Sequence, residues 1–338
     1  PHSALLLIMA KAMNSLVVEM VMAGDGSNSS SSRNRRGESQ AFVPGCSCPS
    51  CRAAAAAATP RGSGASRHMS DAALSVFCHL HHLLLTVALQ QPSMVEEART
   101  AVSHFMQHPA HRTKQHCPDL GVLLIKLLLV PCDEVPWAQF APAFLRELLA
   151  RQVLWAQRDH GRKFTDDLLD APDHRMAWHF SAARTSLRTV ALEVWFANAL
   201  ARPTHTASLQ QELASVKGAY DRTDGRPPAS VFARFNAHSR AVLAHSGWVD
   251  FLRSLRMGLR VPSDAAVQRC GGRQGAAVRA MWANVLRQAV YDSRLREYHQ
   301  GKQVPLNLNR PTPRGCLPHC FEAWDPAAPP VQAISEEW

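Results

Sequence analysis

Residues 173–203, DHRMAWHFSAARTSLRTVALEVWFANALARP, decide the fold class. Phe180, Ala183, Leu187, Val190, Val194, Ala197 and Ala201 recur at alternating steps of three and four, which puts them on one face of an α-helix. Trp178, Leu192, Trp195, Phe196 and Leu200 widen that stripe until little polar circumference remains. This is the pattern of a helix packed on several sides. Pro172 precedes it and Pro203 follows, where a helix starts and must stop. About 28 residues at roughly 1.5 Å each span ~40 Å, enough for the central strut of a domain.

The flanking sequence is helical by the same argument. Upstream, 4–21 is amphipathic, with Leu5, Met9, Met13, Leu16, Val17 and Met20 on one side. Ser70 stands as N-cap to DAALSVFCHLHHLLLTVALQ. Segments 94–107, 119–130 and 137–158 follow, the last with Phe140, Phe144, Leu148 and Trp155 in register and Arg151 breaking the stripe. The run 119–130 is almost wholly apolar and fits a buried strand or a buried helix; its helical surroundings favour helix. Downstream, Ser208 with Gln211 three residues on is a capping box for 209–220. Asp224-Gly225 and Pro227-Pro228 mark a loop. Helices are expected over 231–259, with Gly247 a break, and over 274–298.

The fold is therefore expected to be all-α, an irregular multi-helix bundle or solenoid-like array around a long central helix, with a disordered insert. Residues 1–23 form an N-terminal helix packing on the main domain. Residues 24–69, with GDGSNSSSSRNRRGES and a six-alanine run, read as a linker too polar and simple to offset its chain entropy. Residues 70–299 make the helical domain and 300–338 an irregular, proline-rich tail.

The 338 residues carry a net charge of +10, mostly from arginine, with only six lysines. Nine cysteines, an odd number scattered through helical patterns, do not read as a secreted disulfide framework. An intracellular location, cytoplasmic or nuclear, is expected. Lys11, Asn14 and Glu19 interrupt the first apolar stretch and 120–130 is short, so no membrane is expected. The chain opens on Pro1 with an apolar segment already under way, and reads as a piece of a longer product.

Cys46-x-Cys48-x-x-Cys51 could give three thiolates to a zinc ion, with a fourth ligand from Cys316, His319 or Cys320. The solvated-linker reading outweighs it, so no metal and no cofactor are assigned, and Cys46, Cys48 and Cys51 remain only as candidates. His79, His81 and His82, then His104, His108, His111 and His116 beside Cys117, form a loose cluster in sequence. The plainer expectation is that His81 faces the apolar side while His79 and His82 face solvent or cap a carbonyl. Cys78 near histidines suggests a dyad, but within an apolar helical pattern it reads as a small buried hydrophobe. There is no nucleophile elbow, P-loop or dinucleotide fingerprint, and no catalytic residue is assigned. Between Arg253 and Arg314 twelve basic residues face three acids. Arg279, Arg287 and Arg294 share one helical face there, a candidate contact for nucleic acid or an acidic partner.

KAMNSLVVEM, ALSVFCHLHHLLL, LGVLLIKLLLV, FLRELLARQVLWA and TSLRTVALEVWFANALARP together resemble the helical region that follows the ubiquitin-conjugating (UBC, E2-like) domain in certain large multidomain eukaryotic proteins. The resemblance spans roughly residues 3–299 outside the linker. It implies a helical extension attached to ubiquitin-pathway machinery. The family's His-Pro-Asn element and following cysteine do not occur in this chain, so no thioester chemistry carries over. The expected function is a non-catalytic helical interaction or scaffold module, the C-terminal part of a ubiquitin-conjugating-like protein. Its expected partners are proteins, with the ubiquitin machinery implied by the resemblance. The alternatives are a nucleic-acid-binding protein using Arg253 to Arg314 and a zinc-dependent protein using the linker cysteines.

Overall fold

A computed structural model describes residues 2–25, 71–157, 172–199, 208–227, 229–259, 274–298 and 321–323. The described residues form α1 (His2–Asp25), α2 (Asp71–Gln90), α3 (Pro92–Gln107), α4 (Leu120–Leu127), α5 (Trp137–Gln157), α6 (Pro172–Ala182) and α7 (Arg184–Ala199). They continue with α8 (Leu209–Asp221), α9 (Ala229–Leu243), α10 (Trp248–Ser254) and α11 (Gln274–Leu295). The fold is all-α apart from a two-stranded antiparallel ribbon, β1 (Met257–Leu259) with β2 (Phe321–Ala323). The linker expected over 24–69 and its cysteines lie outside the described residues, except that α1 runs on through Gly24 and Asp25.

The centre of the bundle is α1 laid against α7. α1 also touches α2, α3, α4 and α9. Because helices distant in sequence pack on it, the arrangement is a bundle and not a solenoid, in which each unit meets only its neighbours. Leu6, Met9, Ala10, Met13, Val17, Met20 and Val21 are buried along α1. On α7 every side chain from Leu187 to Ala197 is buried, as the widened stripe of the quoted segment requires. α1 and α2 are also long and apolar enough to cross a membrane by length and composition, despite Lys11, Asn14 and Glu19. Here both pack on other helices.

The expected single strut is two helices. Ala183 interrupts it, although Ala183 N donates to His179 O and Leu187 N to Ala183 O at 2.9 Å, so the hydrogen-bond ladder runs on across the break. The halves serve different neighbours: α6 packs on α5 and α11, while α7 packs on α1, α4 and α9. Arg188 of α7 is buried and donates to the Leu243 and His245 carbonyls at the end of α9, where the helix dipole favours a cation.

The run 119–130 is helical over Leu120–Leu127 and turns from Leu128 on. Asp119 caps α4, its Oδ1 accepting from Gly121 N at 2.8 Å, and Asn14 Nδ2 of α1 donates to Asp119 Oδ2 at 2.9 Å. A Cβ on Gly121 would lie 2.3 Å from Asn14 Oδ1, so glycine sets the close approach of α1 and α4. The capping box of α8 forms in full, with Gln211 N donating to Ser208 Oγ and Ser208 N to Gln211 Oε1.

Other expectations change. The helical stretch 231–259 divides at Gly247, the N-cap of α10, and ends in β1. That strand pairs with β2, inside the tail expected to be irregular. Trp155, expected on the buried face of α5, is 48% exposed. Leu148 lies farther round the helix from Phe140 and is buried, so the exposure of Trp155 is set by which elements cover the last turn of α5 and not by its face.

Candidate functional site

Three clusters of polar side chains carry the chemistry of the described residues. The first lies between α2 and α8. Cys78 and His81, three residues apart on α2, are buried. His81 Nδ1 and the Tyr220 hydroxyl share a 2.9 Å hydrogen bond, and the Cys78 thiol bonds the same hydroxyl. Burial, with neighbouring His82 second, pushes His81 down to about 3. Burial pushes the Cys78 thiol up to about 12 against the pull of Tyr220, and holds the Tyr220 phenol well above its usual range. A thiolate–imidazolium pair needs the opposite shifts. At neutral pH all three groups are neutral, and the dyad is not assembled.

His79 faces solvent, as expected, whereas His82 is half-buried and stacks on the Tyr220 ring. His79 Nδ1 meets the Ser75 carbonyl at 2.6 Å, and His82 Nε2 meets the Asp221 carboxylate at 2.7 Å. The turn after α8 is seated on these rings. Asp224 and Gly225 both have positive φ (51° and 74°), and a Cβ on Gly225 would come within 2.9 Å of His79 Cδ2.

The second cluster joins α5 to α11. Arg146 donates through Nε (2.6 Å) and Nη2 (3.1 Å) to the two oxygens of Asp292, which Gln288 also supports at 2.9 Å. Glu147 is buried. It accepts from Arg151 Nε at 2.8 Å, from Arg296 Nη1 and from the Tyr298 hydroxyl. Arg151 also donates to the carbonyls of Arg112, Cys117 and Pro118 at 2.8, 2.6 and 3.1 Å. Burial first, then Glu147, pushes Tyr298 up to about 12. A carboxylate so enclosed by donors is charge-assisted on every side.

The third cluster is the corner after α3, where a 3₁₀ turn (Pro109–Arg112) follows. His108 N donates to His104 O and His111 N to His108 O, each at 2.9 Å. Arg112 Nε and Nη2 donate to the Phe105 and Met106 carbonyls at 2.8 and 2.6 Å, closing the helix end. The imidazoles of His104, His108 and His111 gather with centroids 5.7, 4.7 and 5.6 Å apart, and His116 lies 4.8 Å from His111. Desolvation first, then the charges of His104, His116 and His108, lowers the pKa of His111. Among the described residues no group of three or more His, Cys, Asp or Glu side chains could hold a metal ion.

Glu193 of α7 is buried with neither oxygen hydrogen-bonded among the described residues. Burial, with Asp119 second, raises its carboxyl well above the usual range.

Of the residues singled out in sequence, Cys46, Cys48, Cys51, Cys316, His319 and Cys320 lie outside the described residues. Arg279 and Arg287 lie on α11 with undescribed side chains, and Arg294, on the same helix, is half-buried. Arg296 turns inward to Glu147. The seam of Glu147, Arg151, Arg296 and Tyr298 went unrecognised in the sequence. Its one trace was Arg151 interrupting an apolar stripe four residues after Glu147, the spacing of a helical ion pair. Comparisons with protein-family models, characterised proteins and solved structures give no match.

Proposed function

We propose that this chain is a non-catalytic helical interaction module that works beside a ubiquitin-conjugating-like domain, with proteins as its partners. One observation carries the interaction reading. The two apolar helices α1 and α2, packed on each other, still present large apolar side chains to solvent: Leu7, Ile8 (63% exposed) and Met22 on α1, Val76 and Leu83 on α2. Apolar side chains left out of a core that has buried so many others suit a partner surface. The interior polar groups support the same reading, because they are neutralised or paired among themselves. The ubiquitin assignment rests on the resemblance of the helical segments.

The nucleic-acid reading draws on the basic stretch from Arg253 to Arg314, and one of its arginines, Arg296, is committed to Glu147. The deciding experiment measures binding of the immobilised chain to ubiquitin and to ubiquitin-charged conjugating enzymes. Binding that is lost on Ile8→Asp and Leu83→Asp is expected. No binding to either ligand removes the ubiquitin assignment, and binding untouched by both substitutions removes this surface. Salt-dependent binding to nucleic acid in its place would favour the alternative.

A further inference from the structure

α1 buries one face and leaves the other to solvent. Leu6, Met9, Met13, Val17 and Met20 are buried, and the opposite face carries Ile8, Lys11, Ser15, Glu19 and Met22, all exposed. At about 100° per residue, Ile8 and Met22 lie roughly 20° to either side of Ser15, and Lys11 and Glu19 roughly 40°. The exposed stripe is therefore symmetric about Ser15. Each residue has a counterpart equally far along the helix in the other direction, an apolar side chain for an apolar one and an anion for a cation.

That symmetry selects the occupant. A two-fold axis beside Ser15 sets a second copy of α1 antiparallel to the first, so that Ile8 meets Met22 and Lys11 meets Glu19, and each pair forms twice. A parallel arrangement would put Lys11 against Lys11 and Glu19 against Glu19. Ala12 and Ser15, small and exposed, let the two backbones come close at the centre. Neither Lys11 nor Glu19 is in an ion pair among the described residues. From Ile8 to Met22 the stripe runs roughly 21 Å. A lipid surface would ask for basic residues along the margin of the apolar face, whereas α1 has one lysine and no arginine, with Glu19 and Asp25 against it.

We propose that the chain pairs with a second copy of itself through an antiparallel α1–α1 contact centred on Ser15. The inference rests on the reading of the exposed α1 and α2 side chains as a protein-binding surface, and names the occupant of its α1 part.

The test is sedimentation equilibrium of the full chain over a wide range of concentration. A monomer–dimer equilibrium is expected, and Ile8→Asp should abolish it. Lys11→Glu and Glu19→Lys should each weaken it roughly 10-fold or more, because the axis then sets two like-charged pairs in place of two opposite ones. The two substitutions together should restore it. All are at exposed positions, and circular dichroism establishes that each variant folds. A wild-type chain that stays monomeric overturns the proposal; a lower melting temperature of Ile8→Asp would then assign the stripe to another segment of the same chain. A dimer untouched by Ile8→Asp overturns it too, as does a double charge swap that fails to restore what either single substitution loses. Ubiquitin binding by a strictly monomeric chain removes the pairing and leaves the interaction reading. A dimer that binds no ubiquitin keeps the pairing and removes the ubiquitin assignment.

Discussion

The α2–α8 cluster and the α5–α11 seam are both buried polar constructions that tie helices far apart in sequence, and they handle charge in opposite ways. His81, Cys78 and Tyr220 avoid it: burial moves each pKa toward the neutral form, and one phenol serves the imidazole and the thiol. Glu147 keeps a carboxylate buried and surrounds it with two guanidiniums and a phenol. The difference follows from the donors within reach. Around His81 no acidic side chain among the described residues is within hydrogen-bonding reach and its ring bonds one hydroxyl, so an imidazolium there has no counter-ion to replace its water. Around Glu147, Arg151 arrives from the next turn and Arg296 from the turn that follows α11, and the ions satisfy each other.

Removing one member should therefore cost most at the seam. Glu147→Ala leaves Arg151 and Arg296 facing each other without their carboxylate, and a loss of about 3–5 kcal/mol is expected in urea denaturation. An effect under about 1 kcal/mol would mean that the guanidiniums are already satisfied by backbone carbonyls. Tyr220→Phe strands the buried His81 nitrogen and should cost about 1–3 kcal/mol by the same measurement. If it matches Glu147→Ala, the contrast between the two clusters fails.

Acid separates the clusters further. The folded pKa of His81, about 3, lies below the ordinary value of 6.5, so below pH 6.5 the unfolded chain binds a proton that the folded one refuses. Its contribution is fully present above pH 6.5 and is lost as pH falls from 6.5 toward 3, by up to ~1.4 kcal/mol per pH unit. His179, pushed down to about 4 by burial, adds in the same direction. Glu193, raised by burial, acts oppositely: its contribution is present at acid pH and declines as pH rises above the usual carboxylate range. His81→Gln should flatten the fall in urea midpoint between pH 7 and pH 5; an unchanged slope would place the acid sensitivity elsewhere.

The smallest effect tests the rim of the α2–α8 cluster. Gly225→Ala meets positive φ and the edge of His79 together, and a loss of about 1–2 kcal/mol is expected. A neutral result in thermal melting would show that the turn is not seated on the histidines.

How much could be read in advance depended on the range of each interaction. The capping box of α8, the break at Gly247 and the inward turn of His81 were all legible, because each depends on residues within one or two helical turns. Trp155 was misplaced because the period fixes the face a side chain takes but not whether a neighbouring element covers the last turn of the helix. Arg151 was visible only as a flaw in a stripe. Its other partners, the carbonyls of the 112–118 turn and, through Glu147, Arg296 and Tyr298, lie 33 to 151 residues from the side chains they bond, a span over which periodicity carries no information. The histidine corner was legible as a list of histidines, but that their rings lie side by side depends on the 3₁₀ turn.

By itself the sequence determined that this is a helical protein, where most helices begin and end, and which faces they bury, because capping and amphipathic period are local properties of the chain. Tertiary structure alone decided that α1 shares the centre with α7, that the expected strut is two helices divided at Ala183, and that buried charge is paired at one interface and suppressed at another. Those outcomes depend on which distant surfaces meet, and the energy of a buried polar group is set by the neighbours that replace its water.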